Sequence, residues 1–273
     1  MKGVYNMAIG GLGYLNQINR TNSSAASSIQ KIVTGSQRPS AKYGASSYAI
    51  SSRMNSNVGT AAQSKSNAQT ANAMLNVAAG GVSSTVNALS NIKSQILQAA
   101  NGTNQDSDLA AVGQTIAKAV STINDNASIE YNGMKLLDGS RSITVAGDMG
   151  YNTVDLGNLS SEALGLTDAA GNSKLDLTSA AGIASALDTV DSALESVSGM
   201  ATDIGAAQQG LMFSESNYTT SGESLTAALS TEDDTDIAAE VAKLRSAETQ
   251  NQIALHAQKM FMHNSAQVLS LLP

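Results

Sequence analysis

The chain has 273 residues, with 15 Lys and Arg against 22 Asp and Glu, which gives a formal net charge of −7. This acidic balance argues against nucleic-acid binding, because neutralising phosphates needs clustered basic side chains. The absence of cysteine excludes disulfide bonds, thiolate zinc sites and cysteine nucleophiles. The sequence has no run of about 18 apolar residues that would predict a membrane-spanning helix. Its first residues lack the apolar core of a cleavable signal peptide.

The first segment has apolar residues at intervals of three and four, which predicts an amphipathic helix that ends near Gly35. The helix has too few large apolar side chains to be stable in isolation, so it needs a partner helix or a neighbouring molecule. The apolar residues of this stripe are Val4, Ala8, Leu15, Ile18, Ala25, Ile29 and Ile32.

The next segment repeats every seven residues, which is typical of a long helix packed against other helices. The repeat consists of Met54, Ala61, Ala68, Leu75, Val82, Leu89 and Ile96. A shorter helix is predicted to follow, with Asp106 or Ser107 as its N-cap. The apolar stripe of that helix is Leu109, Val112, Ile116, Val120, Ile123 and Ala127.

The interval from 130 to 160 changes to turn dipeptides and short alternating patterns. Asn132-Gly133 and Asp138-Gly139 are turn signals, and the alternation near 141–157 predicts a β-hairpin, the one β element expected in the chain. The stretch 160–178 is expected to be a loop.

A second seven-residue repeat predicts another long helix, which we expect to pack antiparallel to the first. It consists of Ile183, Val190, Val197, Ile204, Leu211, Tyr218 and Leu225. The helical core is therefore predicted to contain Leu75, Val82, Leu89, Ile96, Val190, Val197, Ile204 and Leu211.

The last segment opens on the acidic run 232–236, which suits the start of a helix because of the helix dipole. Apolar residues then recur along the predicted helix, and this helix also needs a partner to be stable. They include Ile237, Val241, Leu244, Ala254, Ala257, Phe261, Val268, Leu269 and Leu272.

The sequence predicts no active site, metal site or cofactor. His256 and His263 are seven residues apart, whereas a helical zinc pair needs a spacing of four, so surface histidines are the better interpretation. The acidic run 232–236 lacks the glycine and terminal glutamate of an EF-hand. We therefore expect no enzymatic activity.

Three segments resemble bacterial flagellins. They are the turn from Gln98 to Leu109, the motif Tyr131-Asn132-Gly133-Met134-Lys135-Leu136-Leu137-Asp138-Gly139, and the C-terminal stretch from Asp236 to Leu272. The resemblance implies a mainly α fold, with a long antiparallel helical bundle, a small β-hairpin and paired terminal helices. It further implies a D0 domain formed by 1–43 and 232–273, a D1 rod over 44–231, and no outer D2 or D3 domains.

The resemblance also implies a subunit that polymerises into the extracellular flagellar filament for swimming. Export by the flagellar type III apparatus, without a cleavable signal peptide, is expected to precede assembly. The implied partners are further copies of the chain, an export chaperone, the filament cap and hook-associated proteins, with neither nucleic acid nor membrane among them. The residues expected to drive assembly are Val4, Leu15, Ile18, Ile29, Ile32, Ile237, Val241, Leu244, Phe261, Val268, Leu269 and Leu272.

The helix that a flagellin-sensing Toll-like receptor contacts in the family aligns with residues 89–95. Leu89 and Lys93 are the related positions, while Asn91 and Ser94 replace the family's first arginine and its glutamate. Weak or absent receptor signalling is expected.

Two other functions fit part of the pattern. A hook–filament junction protein shares the terminal-helix plan, although the Tyr131–Gly139 motif disfavours it. A chemoreceptor-like signalling rod also uses alanine-rich heptads, but it would need membrane spans or a symmetric hairpin tip.

Overall fold

The computed structural model of the chain describes residues 2–102, 104–147 and 150–270, and the side chains of 12–102, 104–147 and 153–267. Within these ranges the helices and strands follow in the order α1 (Lys2–Thr34), α2 (Ala45–Ala99), α3 (Asp106–Ala127), β1 (Glu130–Tyr131), β2 (Met134–Lys135), β3 (Ser142–Gly147), β4 (Gly150–Asp155), α4 (Ala180–Asp233) and α5 (Ile237–Ser270), with a short 3-10 helix at Ala41–Tyr43. The predicted mainly helical fold is confirmed.

The described chain divides into two compact units. Unit 1 combines residues 1–58 with 223–273, and unit 2 is the continuous stretch 59–222.

In unit 2, α2 and α4 pack antiparallel with a constant register. Three side-chain bonds mark the pairing: Lys93 donates to Asp191 at 2.5 Å, Gln208 donates to Asn76 at 2.8 Å, and Gln69 donates to Glu215 at 2.5 Å. All eight residues predicted for the core are at most 4% exposed, and each such aliphatic side chain stabilises the fold by about 1.5–3 kcal/mol. Hydrophobic burial along both seven-residue repeats therefore holds this helix pair together.

Helix α3 packs on α2 through its apolar stripe and one amide. Asn126 donates to Ser84 at 3.0 Å and to Thr85 at 3.2 Å. The predicted N-cap is wrong by one residue, because Gln105 occupies that position. The Gln105 side chain accepts from the Asp108 backbone, and Asp108 accepts from the Gln105 N–H at 3.0 Å, so a capping box begins the helix.

The predicted hairpin lies at β3–β4, in antiparallel register with Ile143 opposite Val154. A second, two-residue hairpin pairs Tyr131 with Met134, so the expectation of a single β element is wrong. Its turn residues, Asn132 and Gly133, have φ of 51° and 74°, which is the backbone required by a tight hairpin turn. A strand pair this short gives no alternating pattern, and only its turn dipeptide could signal it.

The stretch after β4 is a loop, as predicted, but it is firmly packed. Leu156, Leu159 and Leu166 are at most 1% exposed, and the Ser161 N–H donates to Asn124 of α3 at 2.9 Å. This loop therefore belongs to the core of unit 2.

Unit 1 contains the antiparallel pair α1–α5, and the segment that follows α1 bonds to the segment that precedes α5. The Thr235 N–H donates to the Gly35 carbonyl at 2.9 Å, and the Gln37 N–H donates to the Asp233 carbonyl at 2.6 Å. Arg38 donates to the carbonyl and carboxylate oxygens of Glu232 at 2.5 and 3.2 Å.

The acidic run 232–236 contributes to both the end of α4 and the start of α5. Asp236 caps α5 by accepting from the Ala239 N–H at 3.0 Å, as a residue before the helix should. The run precedes α5, as predicted, but Glu232 and Asp233 also form the end of α4. Arg38 offsets the unfavourable position of these two carboxylates at a helix C-terminus.

Gly80 and Gly81 of α2 provide a matched test of core packing. A Cβ at Gly80 would have no neighbour within 4 Å, whereas one at Gly81 would lie 2.8 Å from the Cδ1 atoms of Ile129 and Leu137. We expect Gly80→Ala to stabilise the protein by about 0.5–1 kcal/mol through helix propensity. We expect Gly81→Ala to be less stable than Gly80→Ala by about 1–3 kcal/mol, because the two methyl ends must shift. Thermal unfolding of both variants measures the difference, and equal stabilities would contradict the packing at Gly81.

Candidate assembly site on the terminal helices

The contact between α1 and α5 is built from small and polar side chains. Thr21 and Ser28 of α1 are 3% and 6% exposed, and Ala247 and Ala254 of α5 are 7% and 5% exposed. Small residues allow two helices to approach closely, but they bury little apolar area. The two helices consequently lie close together, and hydrophobic burial between them contributes little stability.

A buried carboxylate stands at one end of this contact. Glu240 of α5 is 6% exposed and accepts from Ser28 at 2.9 Å and from Lys243 at 2.7 Å, with the Lys31 ammonium 3.6 Å away. The hydrogen bond from Lys243, together with Ser28 and the charge of Lys31, outweighs burial and holds the pKa of Glu240 below its usual value. Glu240 thus joins the two helices as an ionised, fully bonded group.

Two further contacts continue the pairing toward the chain ends. Asn251 donates to Asn22, and the rings of Tyr14 and Phe261 lie 5.9 Å apart at 52°. The α1 residues of these contacts and the α5 residues run in opposite orders, as an antiparallel pair requires.

The apolar residues predicted to drive assembly mostly flank this contact. Leu15, Ile29 and Ile237 are 45%, 48% and 51% exposed. Others are half-buried: Ile18, Ile32, Val241, Leu244 and Phe261. Val4, Val268 and Leu269 belong to helices, but their side chains, and all of Leu272, lie outside the described residues.

More large apolar side chains project from the same two helices. Leu12 and Val33 of α1 are 60% and 79% exposed. On α5 the corresponding set is Ile253 at 64%, Leu255 at 45%, Met260 at 57% and Met262 at 63%. These four residues of α5 lie on two separate edges, defined here by their seven-residue spacing: edge A carries Ser246, Ile253 and Met260, and edge B carries Glu248, Leu255 and Met262.

Sequence reasoning missed the polar centre of the α1–α5 contact, because it followed large apolar residues only. A signal was available in the spacing. Tyr14, Thr21 and Ser28 are seven residues apart on α1, and Glu240, Ala247, Ala254 and Phe261 are seven apart on α5.

The receptor-equivalent positions of α2 do not form one surface. Leu89 is fully buried in the core of unit 2, and Lys93 donates to Asp191 of α4. Asn91 and Ser94 are exposed.

Side chains that could have suggested chemistry are dispersed. His256 and His263 lie exposed on α5, and His263 is within 3.2 Å of the Gln267 amide. No group of three or more His, Asp or Glu side chains in the described ranges is placed to hold a metal ion. Across the same ranges, no helix is long and apolar enough to cross a membrane.

Two family models match the chain. The bacterial flagellin N-terminal helical region matches residues 6–142, and the bacterial flagellin C-terminal helical region matches residues 187–272. The first covers most of α1 and all of α2 and α3, and the second covers most of α4 and all of α5.

Curated relatives agree with the family models. The chain is 28% identical to the flagellin of Bacillus subtilis over 295 aligned positions, which cover 96% of each chain. It is 34% identical to the flagellin of Escherichia coli O127:H6 over 155 positions, which cover 55% of this chain and only 28% of that longer protein.

A solved structure shares the fold. A candidate flagellar hook-associated protein of Vibrio parahaemolyticus superposes with a TM-score of 0.59 at 16% identity, covering 70% of this chain and all of that one. Identity this low shows the fold alone. Because the family models match both helical regions and the Bacillus subtilis relative aligns over nearly its whole length, the chain belongs to the bacterial flagellins, the structural subunits of the flagellar filament.

Proposed function

We propose that the exposed apolar edges of α1 and α5 join copies of the chain in the core of the filament. One observation carries the proposal: among the side chains described for α1 and α5, nine large apolar ones are exposed by 45% or more. They are Leu12, Leu15, Ile29, Val33, Ile237, Ile253, Leu255, Met260 and Met262.

Hydrophobic burial supplies the driving force. Removing apolar surface from water is favourable by about 25 cal/mol per Å², and the narrow α1–α5 contact leaves most of this surface for other molecules. Ordering of the two helices is then coupled to association, as in segments that fold on binding. Contacts between different edges of successive copies are heterologous, and they produce an open filament where the rotation between copies does not close a ring.

The proposal keeps the domain assignment made from the sequence. Residues 1–43 and 232–273 would form the filament core, and residues 44–231 the rod outside it, without outer domains. Two compact units support a division of this kind, although their boundaries fall at 58 and 223, further into α2 and α4 than the predicted limits.

The remaining parts of the proposal follow from family membership. The chain would be exported by the flagellar type III apparatus and would act outside the cell, with no catalytic activity. An export chaperone, the filament cap and hook-associated proteins would be its other partners. A chain without cysteine and with 3% aromatic residues is suited to passing through a narrow channel unfolded.

A role at the hook–filament junction is not favoured. The structural likeness to the Vibrio parahaemolyticus protein reflects a shared fold at 16% identity, whereas the sequence relatives are flagellins.

An aspartate on an exposed edge should block assembly without unfolding unit 2. Ile253 of α5 is 64% exposed, so Ile253→Asp has little to disrupt within the subunit, but it would place a charge in the contact between copies. We expect the critical concentration for polymerisation to rise at least about tenfold, measured by sedimentation and negative-stain microscopy. Leu97→Asp is the matched control, because Leu97 is 54% exposed on α2, outside the proposed edges. Equal effects of the two changes would contradict the proposal.

Truncation tests the C-terminal part of the same surface. Deleting residues 268–273 removes Val268, Leu269 and Leu272 and is expected to abolish filaments. The thermal unfolding of unit 2, followed by circular dichroism, should not change. Normal filaments from the truncated chain would exclude a role for these residues.

Glu240 should contribute to the acid sensitivity of the filament. Its folded pKa lies below the ordinary value of 4.5, so its stabilisation is complete above that value and is lost as the pH falls through the lowered folded pKa. We expect Glu240→Gln filaments to be weaker by about 1–2 kcal/mol per subunit at neutral pH. They should also lose less stability than the parent between about pH 6 and about pH 3.

Filament melting temperature across this pH range is the measurement. Glu223→Gln is the control, because Glu223 is exposed and forms no ion pair within the described residues. A Glu240→Gln filament with the full acid response of the parent would show that the Glu240 cluster does not stabilise the assembled state.

A further inference from the structure

A polar groove of about 640 Å³ runs along one side of the α1–α5 pair in unit 1. Serine and threonine hydroxyls and the amides of Gln17 and Gln250 line it, together with four charged side chains. These are Arg20, Lys31 and Lys243, which are cationic, and Glu240.

The charges of the groove do not balance. The Glu240 carboxylate forms ion pairs with both lysines, at 2.7 Å from Lys243 and 3.6 Å from Lys31. Arg20 is exposed and forms no ion pair among the described side chains. The groove is therefore suited to an additional carboxylate.

The chain limits where that carboxylate can come from. The first 105 residues contain no Asp or Glu, so every carboxylate of unit 1 belongs to residues 223–273. Most of these are already engaged: Glu232 and Asp233 with Arg38, Asp234 with Ser230, Asp236 with the Ala239 N–H, and Glu240 in the groove.

Of the two that remain, Glu248 lies on α5 at the height of the groove. It falls between the lining residues Ser246 and Gln250 in sequence, yet it does not line the groove itself. Successive residues lie about 100° apart around a helix axis, so Glu248 lies about 160° around α5 from Ser246 and from Gln250. Glu248 is exposed and, within the described residues, forms no ion pair.

Edge A and edge B cover almost the same length of α5, and each has a polar residue followed by two exposed apolar residues. Edge A begins with Ser246 beside the groove and continues with exposed Ile253 and Met260. Edge B begins with Glu248 and continues with exposed Leu255 and Met262. When two copies lie side by side in the same orientation, edge B of one copy faces edge A of the other. Polar residues then meet polar residues and apolar residues meet apolar ones, if one copy is shifted along the helix axis by two residues, or about 3 Å.

We propose that edge B of one copy docks beside the groove of a second copy, where Glu248 pairs with Arg20. This inference rests on the proposed function, and it assigns the two sides of the α1–α5 pair to two different neighbours. The contact joins unlike surfaces, so each copy still has one free edge and the series stays open. Charge complementarity adds direction to an apolar contact that has little orientation of its own.

Charge reversal tests the pairing. Glu248→Arg and Arg20→Glu should each raise the critical concentration for polymerisation about tenfold or more, because each places like charges in the contact. An equimolar mixture of the two variants should form filaments, since each variant then meets a complementary surface on the other. The double variant Glu248→Arg/Arg20→Glu should polymerise by itself.

Controls separate this inference from the proposed function. Glu195→Arg and Arg245→Glu make the same charge changes at exposed positions that do not line the groove, and they should polymerise like the parent. If the parent and controls polymerise and Glu248→Arg does so equally well, the pairing is wrong while the proposed function stands. If both single variants fail and neither the mixture nor the double variant recovers, the pairing is also wrong. If the parent and Leu97→Asp fail to polymerise, the proposed function itself fails.

Discussion

The narrow contact between α1 and α5 is the constraint on which the rest of this flagellin depends. The two chain ends meet through Thr21, Ser28, Ala247 and Ala254, with Glu240 as a buried polar link. A contact of small side chains brings the helices close but removes little apolar surface from water. Several large apolar residues of both helices, among them Val33 and Ile253, therefore remain exposed on the outside of the pair.

Unit 2 is stabilised in a different way. Its long helices bury Leu, Ile and Val at eight positions of their seven-residue repeats, and the loop after β4 adds further buried leucines. Hydrophobic burial within one molecule is enough to stabilise such a bundle. Substitutions in the core of unit 2 should thus destabilise the subunit itself, whereas unit 1 buries few large apolar side chains between α1 and α5.

Acidic and basic residues are also distributed unevenly among the helices. Helix α4 carries acidic residues and no basic ones, while α1 and α2 carry basic residues and no acidic ones. Within unit 2 this difference favours pairing of α2 with α4, as in the Lys93–Asp191 bridge, and disfavours pairing of either helix with its own kind. In unit 1 the acid-free α1 offers no carboxylate of its own, and its Lys31 lies 3.6 Å from Glu240 of α5.

The sequence by itself determined the helices, the β3–β4 hairpin and the antiparallel pairing of α2 with α4, because seven-residue periodicity records which face of a helix is buried. Tertiary structure alone decided what could not be read from periodic apolar residues. The β1–β2 hairpin is too short to alternate, and the Gln105 capping box depends on reciprocal bonds across one turn. Ser28 and Glu240 are 212 residues apart, so their bond, and with it the polar centre of the terminal helix pair, exists only once both helices lie side by side. Leu15 and Ile29, which by spacing alone could have faced α5, are exposed because their neighbours Tyr14 and Ser28 make the contacts with α5.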